Sequence, residues 1–215
     1  MIEYEDRAAA GRALGAELKK LGLSRPVVLA LPRGGVPVAV EVAKALKAPL
    51  DLILVRKIGA PGQEELAIGS VSDGDEPDIV FNDAILETFG IRRAQVEEAA
   101  KSQLREIERR RRLYLGGQPP IPLQGREAVL VDDGIATGAS LRAAVKAVRR
   151  RSPAKVIVAA PVGAPDTVAD LRAVADDVVC PATPPRFQAI GLHYRDFHQL
   201  SDEEVTALLN SERAE

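Results

Sequence analysis

Cysteine, histidine and surplus charge are all scarce in this chain of 215 residues, and each scarcity removes a class of function. The single cysteine, Cys180, rules out an internal disulfide and any multi-cysteine metal site, and it fits a reducing compartment. Basic residues number 29 against 31 acidic ones, a formal net charge of -2, so no overall field draws nucleic acid or an anionic membrane. An anion must be bound by a local site. No uninterrupted apolar run is long enough to cross a bilayer, and the opening stretch MIEYEDRAAAGRALG has no apolar core of signal-peptide type. The expectation is a soluble, cytoplasmic protein without a membrane partner.

What is present is a chain 46% hydrophobic, enough for a substantial core in a single domain over residues 1–215. From Arg7 onward, Ala10, Leu14, Leu18 and Leu21 recur at helical spacing, and Gly22 is placed to stop that helix. Short apolar runs at 27–31 (VVLAL), 50–55 (LDLILV), 128–131 (AVLV) and 156–162 (VIVAAPV) suit strands buried on both faces. DVVC at 177–180 is a shorter candidate. Helical patterns lie between them: Val38, Val42 and Ala45 after the first run, and Leu141, Ala144, Val145 and Val148 after AVLV. This alternation predicts an α/β fold, a parallel sheet flanked by helices and joined by right-handed crossovers. Sheets of that kind bind ligands at the carboxyl ends of their strands.

Residues 83–115 leave the rhythm and read as a long, polar helical insertion. Glu97 and Lys101, Glu106 and Arg110, and Glu108 and Arg112 stand four apart, the spacing of helix ion pairs. The run RRRR at 109–112 could suggest nucleic acid. The preferred reading is a solvated helix whose Val96, Ala100, Leu104 and Ile107 pack inward or against a partner subunit. GGQPPIPLQG at 116–125 is then a turn-rich return to the sheet.

Two strand ends carry anion chemistry. In VLVDDGIATGAS (129–140), two adjacent carboxylates, Asp132 and Asp133, end a strand and precede a loop of small residues that opens a helix. Backbone amides of Ala136, Thr137, Gly138, Ala139 and Ser140 can converge there on a phosphate, helped by the helix dipole and by two hydroxyls. The acidic pair suits a vicinal diol, and a phosphorylated ribose supplies diol and phosphate together. An acidic turn with a helix cap and no ligand is the competing reading. In LALPRGGVPVA (29–39), Arg33 and the pair Gly34 and Gly35 precede a helix opened by Pro37, a second anion site or a plain turn. Neither loop has the order of a nucleotide-triphosphatase loop or of a dinucleotide fingerprint.

VLVDDGIATGAS closely resembles the phosphoribosyl-diphosphate-binding motif of the type I phosphoribosyltransferases. The resemblance implies that fold, with a small hood near residues 180–200, and assigns Asp132 and Asp133 to the ribose hydroxyls and Ala136 to Ser140 to the 5-phosphate. It makes PRGG the diphosphate loop, with Arg33, Gly34 and Gly35 near the leaving group. In VRKIGAPGQEELAIGSV (55–71), Arg56 and Lys57 end the second expected strand and a loop follows. In the family a mobile loop of this region closes over the reaction, making Lys57 the candidate for stabilising diphosphate; a solvated turn is the plainer reading. PPRFQAIGLHYRDF (184–197) resembles the base-binding hood of hypoxanthine-guanine phosphoribosyltransferases, so Phe187 is expected to stack on a base, or else to be core. Aromatics are only 3% of the chain, yet Phe187, Tyr194 and Phe197 gather here.

Two departures count against 6-oxopurine acceptors. The loop position that holds an aspartate in those enzymes is Ala136, and the acidic metal contact before the hood tyrosine is His193. Adenine and orotate enzymes of the family nevertheless work with alanine in the loop. His193 reads first as a packed or solvent-facing histidine, second as a base or metal contact.

The function implied is transfer of a 5-phosphoribosyl group from 5-phosphoribosyl 1-diphosphate to a nitrogen of a base, with release of diphosphate. Mg2+ would come with the substrate, Asp132 and Asp133 acting on it at most indirectly. The resemblance also favours a homodimer. A non-catalytic sensor of phosphoribosyl diphosphate or a nucleotide is the alternative, because phosphate motifs serve binding as well as turnover. A hydrolase ranks last: no Ser-His-Asp order, Cys nucleophile motif or His-Glu-x-x-His occurs.

Overall fold

Where apolar runs alternate with helical periods, the chain builds the parallel sheet that this alternation predicts. The structure is a computed structural model and describes residues 3–60, 62–73 and 78–214. In chain order its elements are α1 (Arg7–Lys19), β1 (Pro26–Ala30), α2 (Gly35–Leu46), β2 (Leu50–Leu52), β3 (Val55–Ala60), β4 (Gln63–Ser72) and β5 (Asp78–Phe81). There follow α3 (Asp83–Phe89), α4 (Arg93–Leu115), β6 (Glu127–Val131), α5 (Ala139–Arg150), β7 (Lys155–Ala159), α6 (Pro165–Leu171) and β8 (Asp177–Val179). A short 3-10 helix (Ile190–His193) and α7 (Asp202–Ala214) complete the chain. They fall into two units, Met1–Ile53 with Ile121–Glu215, and Leu54–Pro120.

In the first unit the strand order is β2-β1-β6-β7-β8, and every neighbouring pair is parallel. Helices cover both faces of such a sheet, so its strands have no polar side: β1, β6 and β7 are buried at every position after their first. Asp6 caps α1 by accepting a hydrogen bond from the Ala9 amide at 2.6 Å, and Ala10, Leu14 and Leu18 form its fully buried stripe. In α5 the residues read as one face, Leu141, Ala144, Val145 and Val148, are the ones buried. The chain winds outward from β1 to β2 on one side and from β6 through β7 to β8 on the other. The switch point, where an open α/β sheet leaves a crevice at its carboxyl edge, therefore lies between β1 and β6.

The second unit departs from expectation. The run 50–55 is not one strand: Leu50–Leu52 pairs with β1, whereas Val55 begins a separate antiparallel sheet ordered β3-β4-β5. Arg56 and Lys57 thus do not end a strand of the parallel sheet but lie within β3, and most of the expected loop 55–71 is strand. An unbroken apolar run holds no information about which ladder each half will join. Leu54 is tied instead to Asp73, whose carboxylate accepts its amide at 2.8 Å.

The helical segment is broken at Gly90, whose φ of 63° ends α3, and α4 carries the rest. Val96, Ala100 and Ile107 pack with Ile58, Ile68 and Val71, with Leu104 alongside, the inward face that the spacing predicts. Arg109 and Arg110 both pair with Glu106 at 2.8 Å and hold its carboxyl down at about 2. Arg111 pairs with the buried Asp73. Lys101 reaches Glu98, three residues back, rather than the expected Glu97 four back. The arginine run is thus largely committed to the unit's own carboxylates. No helix among the described residues is long and apolar enough to cross a membrane.

Candidate functional site at the carboxyl edge of the sheet

β1 and β6 run side by side in register, Ala30 beside Val131, so the loops that leave them start together. Leu31 donates to the Val131 carbonyl at 2.9 Å, continuing the ladder one step past β1. PRGG and the acidic pair consequently meet at the switch point. The contact is close enough to require glycine: a Cβ on Gly34 would stand 2.1 Å from Asp133 Oδ2, and one on Gly35 would stand 2.6 Å from the Val131 carbonyl oxygen. The two glycines expected at the diphosphate also make room for the carboxylates.

Asp133 is buried at 8% exposure, and its Oδ2 accepts a hydrogen bond from Arg7 Nε at 2.9 Å. Its carbonyl accepts one from the Tyr194 hydroxyl at 2.6 Å. Asp132, half-buried, uses Oδ1 to accept the Asp133 amide at 2.9 Å. Burial raises both carboxyls above their usual range; for Asp132 the neighbouring Asp133 charge adds to this, while at Asp133 the Arg7 guanidinium opposes it. Two adjacent carboxylates with one nearby guanidinium are an electrostatic arrangement that a ligand with hydroxyl donors or a bound cation would relieve.

The small-residue loop is held from behind. Thr167 donates to the Ala136 carbonyl at 2.8 Å, and Arg142 donates to the Thr137 carbonyl. Gly138, at φ 68°, starts α5, and no side chain caps it there. Ala136, Thr137, Ala139 and Ser140 are exposed. Two of the loop's carbonyls are thus held by the scaffold, and the start of α5 is exposed, the kind of helix start at which an anion is favoured. Arg142 and Thr167 were not read from the sequence, since each is an ordinary helix residue until the fold brings it behind the loop.

Arg33 is half-buried, and its Nη1 lies 3.8 Å from Asp202 Oδ1 at the start of α7. Lys57 is carried by β3 in the second unit, opposite Ser70, with an exposed side chain. In the hood, Phe187 is partly buried beside Ala10, Val162 and Tyr194, and its ring lies parallel to that of His193, centroids 5.7 Å apart. His193 is buried at 7% exposure, and its Nδ1 finds no hydrogen-bond partner among the described residues. Ile190 packs so closely on Gly134 that a Cβ there would meet it at 2.6 Å, so the hood is seated on the acidic loop. His198 bridges Asp196 and Glu204 at 2.8 and 3.1 Å, and both partners raise its pKa.

Among the described residues no group of three or more histidine, cysteine, aspartate or glutamate side chains is placed to hold a metal. The acidic pair alone fits only an ion whose other ligands come from a substrate.

Comparison with known proteins bears on the family and the fold. Residues 3–195 match the phosphoribosyl transferase domain family. Two Mycobacterium tuberculosis proteins carrying provisional phosphoribosyl transferase names, MT0597 and Rv0571c, are each 47% identical over 207 residues. That stretch is 96% of this chain and 46% of each relative, so the chain spans about half the length of the curated relatives it matches. The crystal structure of TT1426 from Thermus thermophilus is 43% identical, with a TM-score of 0.86 over 98% of this chain and 99% of that one.

Proposed function

Because the chain belongs to the phosphoribosyl transferase domain family, we propose that it moves a 5-phosphoribosyl group from 5-phosphoribosyl 1-diphosphate to a nitrogen of a base and releases diphosphate. The observation that carries this reading is the close meeting of Asp132 and Asp133 with Gly34 and Gly35 at the switch point, followed in the chain by the small-residue loop that opens α5.

In this reading that loop holds the 5-phosphate, and the ribose hydroxyls donate to the acidic pair. Asp133 offers the oxygen that Arg7 leaves open, and Asp132 offers the less buried carboxylate. The sugar carbon becomes cationic as diphosphate leaves, so the protein's work is to hold reactants in line and balance the departing charge. Arg33 supplies part of that balance; its long contact with Asp202 is one that a diphosphate would displace. Lys57 is the candidate that the family resemblance names for the diphosphate; Lys57→Ala tests it, slower diphosphate release with little loss of substrate binding being the outcome that supports it. Mg2+ would arrive with the diphosphate, Asp132 and Asp133 acting on it at most indirectly, and would offset the diphosphate's charge. Phe187 flanks the base. Hydroxyls on a ribose, rather than the identity of the base, are what the acidic pair reads, so the acceptor is set by the hood.

The test is calorimetric titration of 5-phosphoribosyl 1-diphosphate with Mg2+ into the protein and into Asp132→Asn/Asp133→Asn, followed by a diphosphate-release screen across common bases. Binding abolished by the double substitution, with release stimulated by one base, is the expected result and names the acceptor. Binding without release for any base makes the protein a sensor. No binding overturns the reading.

A further inference from the structure

Arg7 occupies a position that local helix physics opposes. It is the first residue of α1, where the helix dipole favours anions, and its side chain is 9% exposed, where an unpaired cation is costly. Nothing in the amphipathic pattern of α1 calls for a buried arginine there. Its surroundings do. Nε donates to Asp133 Oδ2 at 2.9 Å, Nη1 donates to the His198 carbonyl at 3.0 Å, and the guanidinium lies 3.9 Å from the centre of the Phe197 ring. One planar group therefore uses one edge on the acidic loop, another on the hood backbone and its face on a hood aromatic, contacts that lysine could not make together.

A second tether runs alongside. Tyr194 of the hood donates to the Asp133 carbonyl at 2.6 Å, and its ring lies 5.0 Å from that of Phe197. The carboxylate is also confined from the opposite loop, since Gly34 leaves only enough space for Oδ2. The orientation of Asp133 is thus set jointly by α1, the hood and the glycine loop.

We infer that Arg7 is a positioning residue that ties the Asp133 carboxylate to the hood through Oδ2 and so orients its other oxygen toward the ribose, setting the ribose subsite and the base subsite as one unit. The inference rests on the ribose reading of Asp133 given above. It makes Phe197, a hood residue, a determinant of affinity for a ligand that carries no base.

The experiment is titration of 5-phosphoribosyl 1-diphosphate with Mg2+ into wild type, Arg7→Lys, Phe197→Leu and the double variant, with thermal unfolding of each followed by circular dichroism. Each single change should weaken binding about 3- to 10-fold, and the double variant should be much less than multiplicatively worse, the mark of one shared interaction. Arg7→Met is included; if it does not fold, the other variants carry the comparison. Folded variants that bind as tightly as wild type, whatever their melting temperatures, or effects that multiply independently, overturn the role of Arg7 while leaving the ribose reading intact. Wild-type protein that binds no phosphoribosyl diphosphate overturns both.

Discussion

Gly34 and Asp133 are separated by nearly half the chain, yet a single methyl on Gly34 would occupy the space of the Asp133 carboxylate, 2.1 Å from Oδ2. The carboxylate cannot simply swing away, because Arg7 holds it at 2.9 Å. Gly34→Ala should therefore cost about 1–3 kcal/mol of stability, the usual range for overpacking a filled site. It should also weaken phosphoribosyl diphosphate binding by at least roughly tenfold, the equivalent of about 1.4 kcal/mol. Chemical denaturation and calorimetry on the same variant check the two effects.

The acidic pair gives the fold a pH dependence of definite sign. Burial raises both carboxyls above the usual 3.8, so the folded state binds protons more tightly than the unfolded state does. The stability this contributes is complete below the usual value and is lost as pH climbs through the raised ones. Asp132→Asn removes the cost of ionising a buried carboxylate beside another. It should flatten the fall in stability above about pH 4, where the unfolded carboxylate titrates, and raise the melting temperature at pH 7 by roughly 2–4 °C, the shift of about 1 kcal/mol in a domain of this size. Melting curves across pH for the two proteins test this; an unchanged slope would sink it.

Within the arginine run, neighbours should behave differently. Arg111 faces the buried Asp73, with side-chain exposures of 12% and 4%, so Arg111→Ala breaks a buried ion pair and should cost about 3–5 kcal/mol. Arg109 pairs with Glu106 near the surface, so Arg109→Ala should cost roughly 0.3–0.5 kcal/mol. Comparable losses at both positions would mean that the run acts through something other than these pairs.

His198 lies between two carboxylates, Asp196 and Glu204, which raise its pKa above 6.5 while their own fall. Nuclear magnetic resonance titration of its ring should give a value above 6.5 in the wild type, returning toward 6.5 in Asp196→Asn. The tie it provides is present below that ordinary value and is lost as pH rises through the raised one. A wild-type ring titrating at or below 6.5 would remove the bridge.

The parallel sheet was legible because its strands are apolar on both faces and its helices apolar on one, patterns written in consecutive residues such as Val27 to Leu31 and Leu141 to Val148. That DDGIATGAS and PRGG stand at strand ends was legible for a related reason: each follows an apolar run directly and precedes a helical period. The antiparallel sheet was not, since Leu54 and Val55 continue an apolar run without a break, and the switch of ladder depends on Asp73, far along the chain.

The sequence by itself determined local pattern and chemistry: which residues form the parallel strands, which helix faces are apolar, and which strand ends carry paired carboxylates, glycines and small hydroxyl residues. Only the tertiary structure decided the geometry between distant segments. It seats Gly34 on Asp133, places Arg7 between the acidic loop and the hood, puts Thr167 and Arg142 behind the loop of Ala136 and Thr137 and moves Lys57 into the second sheet. The reason is physical. Periodicity and turn chemistry act between residues a few positions apart, whereas an ion pair 126 positions long exists only once burial has brought its ends together.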